Sequence, residues 1–346
     1  MSKRKKKLLC ISLSFILMCI TLSSCTKSQK VYKKESFMLG TIISLKYYGK
    51  NGDKAIDESI EKIRNIENKM SVNIASSEIC KVNNNSGKED IVIGKENLYV
   101  IEKALEYSKL TGGAFDISIE PVVKLWGIGT EKARVPKKEE IEDKLKLVNF
   151  KDILIKNNKL FLNRKGMALD LGGIAKGYAA DELKKVVQKY NLERAFINLG
   201  GNLYIYGGKE NGEPLNIGIQ DPCAKQGEYF SVLKVKNKSV VTSGNYERYF
   251  IKNGKRYHHI LDPKTGYPAE KGLISTTIIS DKSIDGDALS TSTYILGLEK
   301  GRKLIESLKG IEAIFVTKDK KVYTTRGINK ENFNISNKEY TYEEGR

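Results

Sequence analysis

The sequence predicts an α+β fold, in which a mainly antiparallel sheet carries helices packed on it. Apolar residues at helical spacing dominate the first half of the chain, whereas short strands separated by turn residues follow one another in the second half. Strands that cluster after helices are typical of α+β proteins rather than of alternating α/β proteins. With 346 residues, the chain could form one large domain or two smaller ones.

The first residues predict an export signal. Lys3 to Lys7 is basic, and Leu8 to Ile20 is apolar but too short for a comfortable membrane span. Leu22-Ser23-Ser24-Cys25 matches the lipobox of bacterial lipoproteins, in which the cysteine carries lipid after cleavage. We therefore predict a signal peptide over residues 1–24, lipidation of Cys25, a polar tether over residues 25–34 and a single domain over residues 35–346. The alternatives are an ordinary secretory signal and an uncleaved anchor.

The first half of this domain contains the predicted helices. Ile56, Ile60, Ile63 and Ile66 recur on one face of an amphipathic helix. Two asparagines at 157–158 separate short apolar runs, which indicates a hairpin. In chain order we predict a strand over residues 37–47, helices over residues 55–68, 98–110 and 136–147, and the hairpin strands 153–155 and 159–162.

The second half contains most of the predicted strands. A helix over residues 175–190 comes first, with apolar residues near helical period and lysines between them. Turn residues then separate a series of short apolar runs. The predicted strands lie near residues 195–198, 203–206, 215–219, 230–235, 247–251, 256–260 and 273–279, before a helix near 287–308 and strands at 312–316 and 321–324.

Composition excludes several classes of function. The formal charge of +18 comes from lysines spread along the chain, without the arginine-rich arm or interleaved aromatic residues that suit nucleic acid. The two histidines, His258 and His259, are adjacent, so a multi-histidine zinc site is excluded and oxygen atoms must hold any metal. Beyond Cys25 only Cys80 and Cys223 remain, and whether they pair stays open.

The stretch from Leu169 to Asp181 combines an acidic residue, paired glycines and the start of a helix. Glycines before a helix let the backbone approach a bound group, while the free N–H groups and the helix dipole attract anions. This pattern indicates a ligand that carries phosphate. The alternative is a glycine-rich turn packed against the sheet.

Two further clusters indicate a binding site. His259 precedes the rigid turn Asp262-Pro263-Lys264-Thr265-Gly266, and of two adjacent histidines on a strand one should face a ligand or solvent. Asp287 and Thr291 are four residues apart, so on a helix both oxygens share one face and suit Mg²⁺. The alternatives are a structural histidine and a helix cap in which Asp285 or Asp287 accepts backbone N–H bonds.

Together and in this order, the motifs resemble the ApbE family of FAD:protein FMN transferases along nearly all of the mature chain. Each motif is weak evidence alone, whereas eight in one order are specific. The matching stretches are Leu39-Gly40-Thr41, Met70-Ser71 with Ser77-Glu78-Ile79, Gly113 to Asp116 through Trp126-Gly127, Asp170 to Tyr178, Asn198 to Gly201, Ser243 to Tyr246, His259 to Gly266, and Asp287 with Thr291.

The resemblance implies a membrane-anchored enzyme on the extracytoplasmic face of the cell membrane, with FAD in a cleft between sheet and helices. The enzyme would use Mg²⁺ to cleave FAD, join FMN to a threonine or serine of another protein through a phosphoester bond, and release AMP. The implied FAD contacts are Leu39, Asn73, Ala114, Phe115, Asp116, Asp170, Lys176 and His259. The implied metal ligands are Gly173, through its backbone oxygen, Asp287 and Thr291, with His259 and Asp287 as catalytic groups.

The implied acceptors are redox-pump subunits or exported flavoproteins with an Asp-x-x-Ser/Thr-Gly-Ala-Thr-like segment, which this chain lacks. Two departures from the family pattern stand out. Leu39 occupies a position where many members have methionine, and Asn73 one where many have an aromatic residue that could stack on the flavin. Because asparagine could admit water, a Mg²⁺-dependent FAD pyrophosphatase that yields FMN and AMP is an alternative, and a non-catalytic flavin-binding lipoprotein is another.

Overall fold

The computed structural model describes residues 30–343. The predicted signal peptide, the lipidation site Cys25 and residues 26–29 of the predicted tether therefore lie outside the described residues. Within the described part of the chain, no helix combines the length and the apolar character needed to cross a membrane. Residues 31–343 belong to one compact unit.

The described chain opens with a hairpin of β1 (Val31–Met38) and β2 (Thr41–Tyr48). We predicted one strand over residues 37–47 and a tether up to residue 34, and both boundaries are wrong. Met38 pairs with Thr41, so Leu39 and Gly40 form a two-residue loop. Both have positive φ, 54° and 65°, as a type I′ turn requires, and leucine at such a position gave no turn signal.

The helices of the first half appear where periodicity predicted them, with shifts at their ends. Two further helices, Glu78–Asn84 and Glu120–Trp126, have only seven residues each. Such a length is too short for a helical period to be recognised in the sequence. The six helices are α1 (Gly52–Met70), α2 (Glu78–Asn84), α3 (Lys95–Leu110), α4 (Glu120–Trp126), α5 (Lys138–Leu145) and α6 (Ala175–Lys189).

A small three-stranded sheet lies within this helical half. It contains β3 (Ile91–Val92), β4 (Ile153–Lys156) and β5 (Lys159–Leu162) in the order β3-β5-β4, and a 3₁₀ helix over Phe150–Asp152 precedes β4. The predicted hairpin across Asn157 and Asn158 is confirmed. Both asparagines have positive φ, 48° and 55°, as a two-residue hairpin loop requires.

The strands of the second half follow the prediction closely. Three strands were not predicted. One is Lys238–Gly244, in the middle of the main sheet, whose Thr242-Ser243-Gly244 ending resembled a turn, and the others are the three-residue strands Phe333–Ile335 and Thr341–Glu343. The strands are β6 (Arg194–Leu199), β7 (Asn202–Tyr206), β8 (Leu215–Gln220), β9 (Tyr229–Val235), β10 (Lys238–Gly244), β11 (Tyr249–Lys252), β12 (Lys255–His258), β13 (Leu273–Ser280), β14 (Glu312–Thr317), β15 (Lys321–Thr324), β16 (Phe333–Ile335) and β17 (Thr341–Glu343).

The predicted helix near residues 287–308 is two helices. α7 (Ser283–Leu296) and α8 (Leu298–Glu306) are separated by Gly297, whose φ of 79° cannot continue a helix. α7 begins four residues before the predicted start. This places Asp287 inside the helix rather than at its N-terminus.

The main sheet has nine strands in the order β1-β2-β6-β7-β10-β13-β14-β15-β17. All neighbouring pairs are antiparallel except β15 and β17. The predicted α+β fold with a mainly antiparallel sheet is therefore confirmed. A separate three-stranded sheet has the order β16-β9-β8, and β11 pairs with β12 alone.

Each face of the main sheet packs against a different layer. On one face, Ile63 of α1, Leu183 of α6 and Leu289 of α7 share a buried cluster with sheet residues such as Ile43. On the other face, side chains of the β16-β9-β8 sheet, among them Phe230, pack against residues of β7, β10 and β14. Removal of this apolar surface from water stabilises the layers.

A third cluster holds the turn that follows His259. Trp126 of α4 is fully buried with Ile141 of α5 and Leu261. The Trp126 indole Nε1 donates a 2.7 Å hydrogen bond to the carbonyl oxygen of Gly266. A buried indole N–H needs such a partner, so this bond fixes the turn against the helical half of the chain.

Candidate functional site

The glycine-rich turn before α6 has a defined geometry. The Asp170 carboxylate accepts a 2.7 Å hydrogen bond from the backbone N–H of Gly172, which is the local turn that aspartate favours. The Asp170 N–H in turn donates to the carbonyl oxygen of Ile117 at 2.8 Å. Lys176, in the first turn of α6, donates from Nζ to the carbonyl oxygen of Gly172 at 3.0 Å. The turn therefore presents a carboxylate and an ammonium group close together at the start of a helix.

Asp287 lies on α7, but its carboxylate accepts a hydrogen bond from the N-terminal turn of α6. Its Oδ2 accepts a 2.8 Å hydrogen bond from the backbone N–H of Gly177, and its Oδ1 lies 3.7 Å from Lys176 Nζ. The first N–H groups of α7 itself are capped by Asp181, which accepts from Ser283 and Ile284. The alternative that Asp287 caps its own helix is therefore wrong.

The two helices are in close contact at Gly177. A Cβ added there would lie 2.4 Å from the carbonyl oxygen of Ser283 and 2.8 Å from the Cβ of Asp287. No side chain fits in that space, so only glycine allows this crossing. The close approach brings the Asp287 carboxylate to the glycine-rich turn.

The three predicted metal ligands come together at this crossing. A Cβ added to Gly173 would lie 3.8 Å from Thr291 Oγ1, which places these two residues side by side. Thr291 lies one helical turn after Asp287, and its Oγ1 is 3.4 Å from the hydroxyl of Ser243 at the end of β10. Ser243 also lies 2.8 Å from the hydroxyl of Ser290.

This donor set fits a magnesium ion. It offers one carboxylate, hydroxyl groups and a backbone oxygen, which are the hard ligands that Mg²⁺ prefers. Asp287 Oδ1 faces Lys176 beyond hydrogen-bond distance, so it is available to a cation. No group of three or more His, Cys, Asp or Glu side chains forms a metal cluster between residues 30 and 343. Water or ligand oxygens would therefore complete the coordination.

The predicted contact Ala114-Phe115-Asp116 lies against the same turn. The Phe115 ring would be 3.1 Å from a Cβ at Gly173, and both Phe115 and Ala114 are buried. The Asp116 carboxylate accepts from the N–H and hydroxyl of Ser118 and from the N–H of Phe150. Burial raises the pKa of Asp116, and these bonds oppose the rise. Asp116 thus holds the loop in place, and Phe115 packs against the glycine-rich turn.

His259 is half-buried beside Arg248. Its backbone N–H donates to the Arg248 carbonyl oxygen at 3.1 Å, and its Nδ1 lies 3.3 Å from that oxygen. Burial, together with the positive charge of Arg248, lowers the pKa of His259 to about 3. The imidazole is therefore neutral near pH 7. His258, by contrast, is buried, with Nε2 3.1 Å from the carbonyl oxygen of Ala269.

Leu39 and Asn73 lie near the C-terminal end of α1. The Leu39 N–H donates to the carboxylate of Glu67 at 2.8 Å, which ties the β1–β2 turn to α1. Asn73 is exposed in the turn after α1, where its N–H donates to the Ser71 hydroxyl at 3.1 Å. Across residues 30–343, no hydrogen bond or ion pair joins Asn73 to the glycine-rich turn. Contacts therefore join Phe115, Lys176, Asp287 and Thr291 to the Gly172-Gly173 turn and the start of α6. The roles of these and of the other predicted site residues stay predictions.

Two charged residues at the site were missed by the sequence analysis. Arg248 donates from Nη2 to the carbonyl oxygen of Gly40 at 2.8 Å, and so links the Leu39 turn to His259. Glu120, the first residue of α4, has its pKa raised to about 8 by burial and by the charge of Asp170. Arg248 lies two residues after the Ser243 to Tyr246 motif, and that proximity was the only sequence signal.

A surface depression of about 330 Å³ lies beside the Asp262 to Pro268 turn. Its lining includes Tyr257, Thr265 and Tyr267 but none of the predicted site residues. The convergence of polar side chains at the start of α6, rather than this depression, therefore defines the candidate site.

Comparison with known proteins gives consistent matches. The model of the ApbE family matches residues 39–315. The FAD:protein FMN transferase of Klebsiella pneumoniae is 37% identical over 296 residues, which cover 85% of this chain and 91% of that protein. The FAD:protein FMN transferase of Treponema pallidum is 32% identical over 336 residues, which cover 90% of this chain and 93% of that protein.

Two solved structures share the fold. The ApbE protein of Thermotoga maritima superposes with a TM-score of 0.80 at 33% identity, covering 86% of this chain and 98% of the other. The flavin transferase ApbE of Vibrio cholerae gives a TM-score of 0.78 at 25% identity, covering 86% of this chain and 98% of the other.

Proposed function

Because the chain belongs to the ApbE family, we propose that it transfers the FMN half of FAD to a threonine or serine hydroxyl of another protein and releases AMP. The chain is a transferase enzyme, and flavin transfer is the activity that its relatives' names state. The proposal extends to a Mg²⁺ requirement and to a lipid-anchored, extracytoplasmic location, both expected from the sequence.

One observation carries the proposal. Asp287, Thr291 and Lys176 converge on the Gly172-Gly173 turn at the N-terminus of α6. The positive end of the α6 dipole and the Lys176 ammonium favour phosphate, while the Asp287 and Thr291 oxygens favour a hard cation. A diphosphate with its magnesium ion satisfies both kinds of group at once.

The proposed reaction breaks the bond between the FMN phosphorus and the bridging oxygen of the diphosphate. The acceptor hydroxyl oxygen forms the new bond to that phosphorus, and AMP leaves with the bridging oxygen. Mg²⁺, when bound, would supply neutralisation of phosphate charge. Lys176 would add a second positive charge, and the neutral His259 imidazole would accept the hydroxyl proton.

The acceptor would be a redox-pump subunit or an exported flavoprotein. The resemblance implies an Asp-x-x-Ser/Thr-Gly-Ala-Thr-like segment in such proteins. The chain itself has no such segment, so the acceptor must be a different molecule. The lipid anchor proposed at Cys25 would keep the enzyme at the membrane that holds these acceptors.

A single experiment tests the proposal. Purified protein is incubated with FAD and an acceptor protein carrying that segment, with Mg²⁺ or with EDTA. We expect equimolar AMP and covalent flavin fluorescence on the acceptor, and neither product with EDTA. Replacing the acceptor's threonine with alanine provides the matched control. AMP release that is unchanged by EDTA would exclude the metal, and no AMP under any condition would favour the flavin-binding lipoprotein.

A second candidate function is Mg²⁺-dependent hydrolysis of FAD to FMN and AMP. The observation that favours it is the exposed polar Asn73, at a position where an aromatic side chain would cover the flavin in many relatives. In the same experiment, hydrolysis gives AMP with free FMN and no flavin on the acceptor.

A further inference from the structure

Arg248 occupies a central place beside the candidate site that the proposed function does not use. Its guanidinium Nη2 donates to the carbonyl oxygen of Gly40 at 2.8 Å, and its Cδ would lie 3.5 Å from a Cβ at Gly129. Its own carbonyl oxygen accepts from the N–H of His259 at 3.1 Å. The side chain therefore runs from the His259 segment to the turn of Leu39 and Gly40.

The Arg248 charge has no carboxylate partner within residues 30–343, because no ion pair includes it there. The Gly40 bond uses one of the five N–H donors of the guanidinium, and the others can bind a ligand. The side chain is exposed, so a ligand can reach it.

The space around Asp170 and His259 lies within range of the charges of both Lys176 and Arg248. The positive charges of both residues act on the Asp170 carboxylate and on the His259 imidazole. Lys176 reaches this space from the first turn of α6, whereas Arg248 reaches it from the segment before β11. Two cationic side chains from separate elements thus lie near the Asp170 carboxylate and the His259 imidazole.

We propose that Arg248 binds the diphosphate of FAD together with Lys176. The inference rests on the proposed function. A diphosphate diester carries two negative charges, and the planar guanidinium matches two phosphate oxygens at once. Lys176 lies 3.7 Å from the Asp287 carboxylate, so its charge is shared between that carboxylate and a bound phosphate. Arg248 is therefore a binding residue for the phosphates as well as a link to the β1–β2 turn.

The competing explanation is that Arg248 only positions the Leu39 turn through Gly40. The two roles differ in which ligands they affect. A positioning role predicts weaker binding of every flavin, because Leu39 is the implied flavin contact. A diphosphate contact predicts weaker binding of any ligand with a diphosphate, and unchanged binding of a flavin without phosphate.

The experiment measures the dissociation constants of ADP and riboflavin by calorimetry with Mg²⁺ present. Neither ligand is a substrate of the proposed reaction. In Arg248→Gln we expect the ADP dissociation constant to rise about tenfold or more, as expected for loss of a hydrogen bond to a charged group. Riboflavin should bind as in the unmodified protein. Arg248→Lys keeps the positive charge but lacks the planar guanidinium. Its ADP dissociation constant should lie between those of the unmodified protein and Arg248→Gln.

Arg256→Gln is the matched control, because Arg256 lies on β12 and stacks on Tyr249 at 4.3 Å. It should leave both dissociation constants unchanged. Equal weakening of ADP and riboflavin in Arg248→Gln would overturn the inference in favour of the positioning role. Unchanged ADP binding in that variant, or no ADP binding by the unmodified protein, would also overturn it. Transfer of FMN by the unmodified protein would leave the proposed function standing in each case.

Discussion

The carboxylate of Asp287 accepts a 2.8 Å hydrogen bond from the backbone N–H of Gly177, a residue 110 positions earlier in the chain. A negative side chain at the start of a helix is stabilised by the free N–H groups and by the helix dipole. The bond occupies Oδ2 and leaves Oδ1 directed at Lys176. One side chain thus joins two helices and orients the remaining oxygen toward the candidate site.

We expect Asp287→Asn to abolish metal-dependent turnover while the protein stays folded. The asparagine oxygen can still accept from Gly177, but the negative charge for a cation is gone. Loss of a metal ligand should reduce turnover by about 100-fold or more. AMP release from FAD at a fixed Mg²⁺ concentration measures this. Asp285→Asn, two residues earlier on α7 and 3.8 Å from Lys103, is the control and should retain turnover. Full activity in Asp287→Asn would remove the assigned metal site.

Gly177→Ala should destabilise the fold by about 1–3 kcal/mol, because the added methyl has no space between α6 and α7. The added Cβ would approach the Ser283 carbonyl oxygen to 2.4 Å, and a backbone atom cannot rotate away. Urea unfolding of the variant measures the loss. Gln188→Ala, on the exposed face of the same helix, should change stability by less than about 0.5 kcal/mol. Equal free energies of unfolding for the two variants would contradict the close contact between α6 and α7 at Gly177.

Glu120 should make stability decrease as pH rises. Its pKa is raised from the ordinary value of 4.5 to about 8, so between these values the folded protein holds a proton that the unfolded chain has released. The stabilisation contributed by that proton is therefore fully present below pH 4.5. It decreases as the pH rises from 4.5 to 8 and is lost above pH 8.

The melting temperatures of the unmodified protein and of Glu120→Gln, compared at pH 5 and pH 8, test this dependence. The glutamine is neutral at both values, so the variant should lose less stability on going to pH 8. Glu131→Gln, at an exposed position, should behave as the unmodified protein does. A parallel pH dependence in Glu120→Gln and the unmodified protein would show that another group is responsible.

Asn73→Tyr should increase the fraction of FMN that reaches the acceptor rather than water. An aromatic ring that stacks on the flavin contributes about 1 kcal/mol, which corresponds to about fivefold. The ratio of acceptor-bound flavin to free FMN after complete consumption of FAD measures the effect. Ser76→Tyr adds the same ring at another exposed position of the turn and should leave the ratio unchanged.

Much of the fold could be predicted because its elements have strong periodicity. α1, α3 and α6 are long enough to show an apolar face, and the Asn157-Asn158 hairpin has residues that tolerate positive φ. Shorter elements lack such a signal. α4 has seven residues, and the Leu39-Gly40 turn interrupts an apolar run that looks like one strand.

Part of the candidate site was predictable because Asp287 and Thr291 carry oxygen ligands and lie four residues apart, which is one turn of a helix. Arg248 and Glu120 were missed because their importance comes from tertiary position. An exposed arginine near a strand is ordinary in sequence. Only the tertiary hydrogen bonds to Gly40 and from the His259 N–H place it beside the candidate site. One hydrogen bond to the Asp116 carboxylate likewise comes from the N–H of Phe150, 34 residues later. The sequence motif could therefore not reveal that Asp116 anchors its loop.

The order of the nine strands has a consequence for when the protein can first bind FAD as a substrate. β2 pairs with β6, so Ile43 meets Leu199 only after all the helices of the first half have been enclosed between them. Closing so long a segment is entropically slow, and α7, which carries Asp287, follows later still in the chain. A nascent chain ending before residue 291 lacks part of the candidate site. Flavin should therefore be acquired after synthesis is finished, by the folded protein, and truncated forms should be colourless.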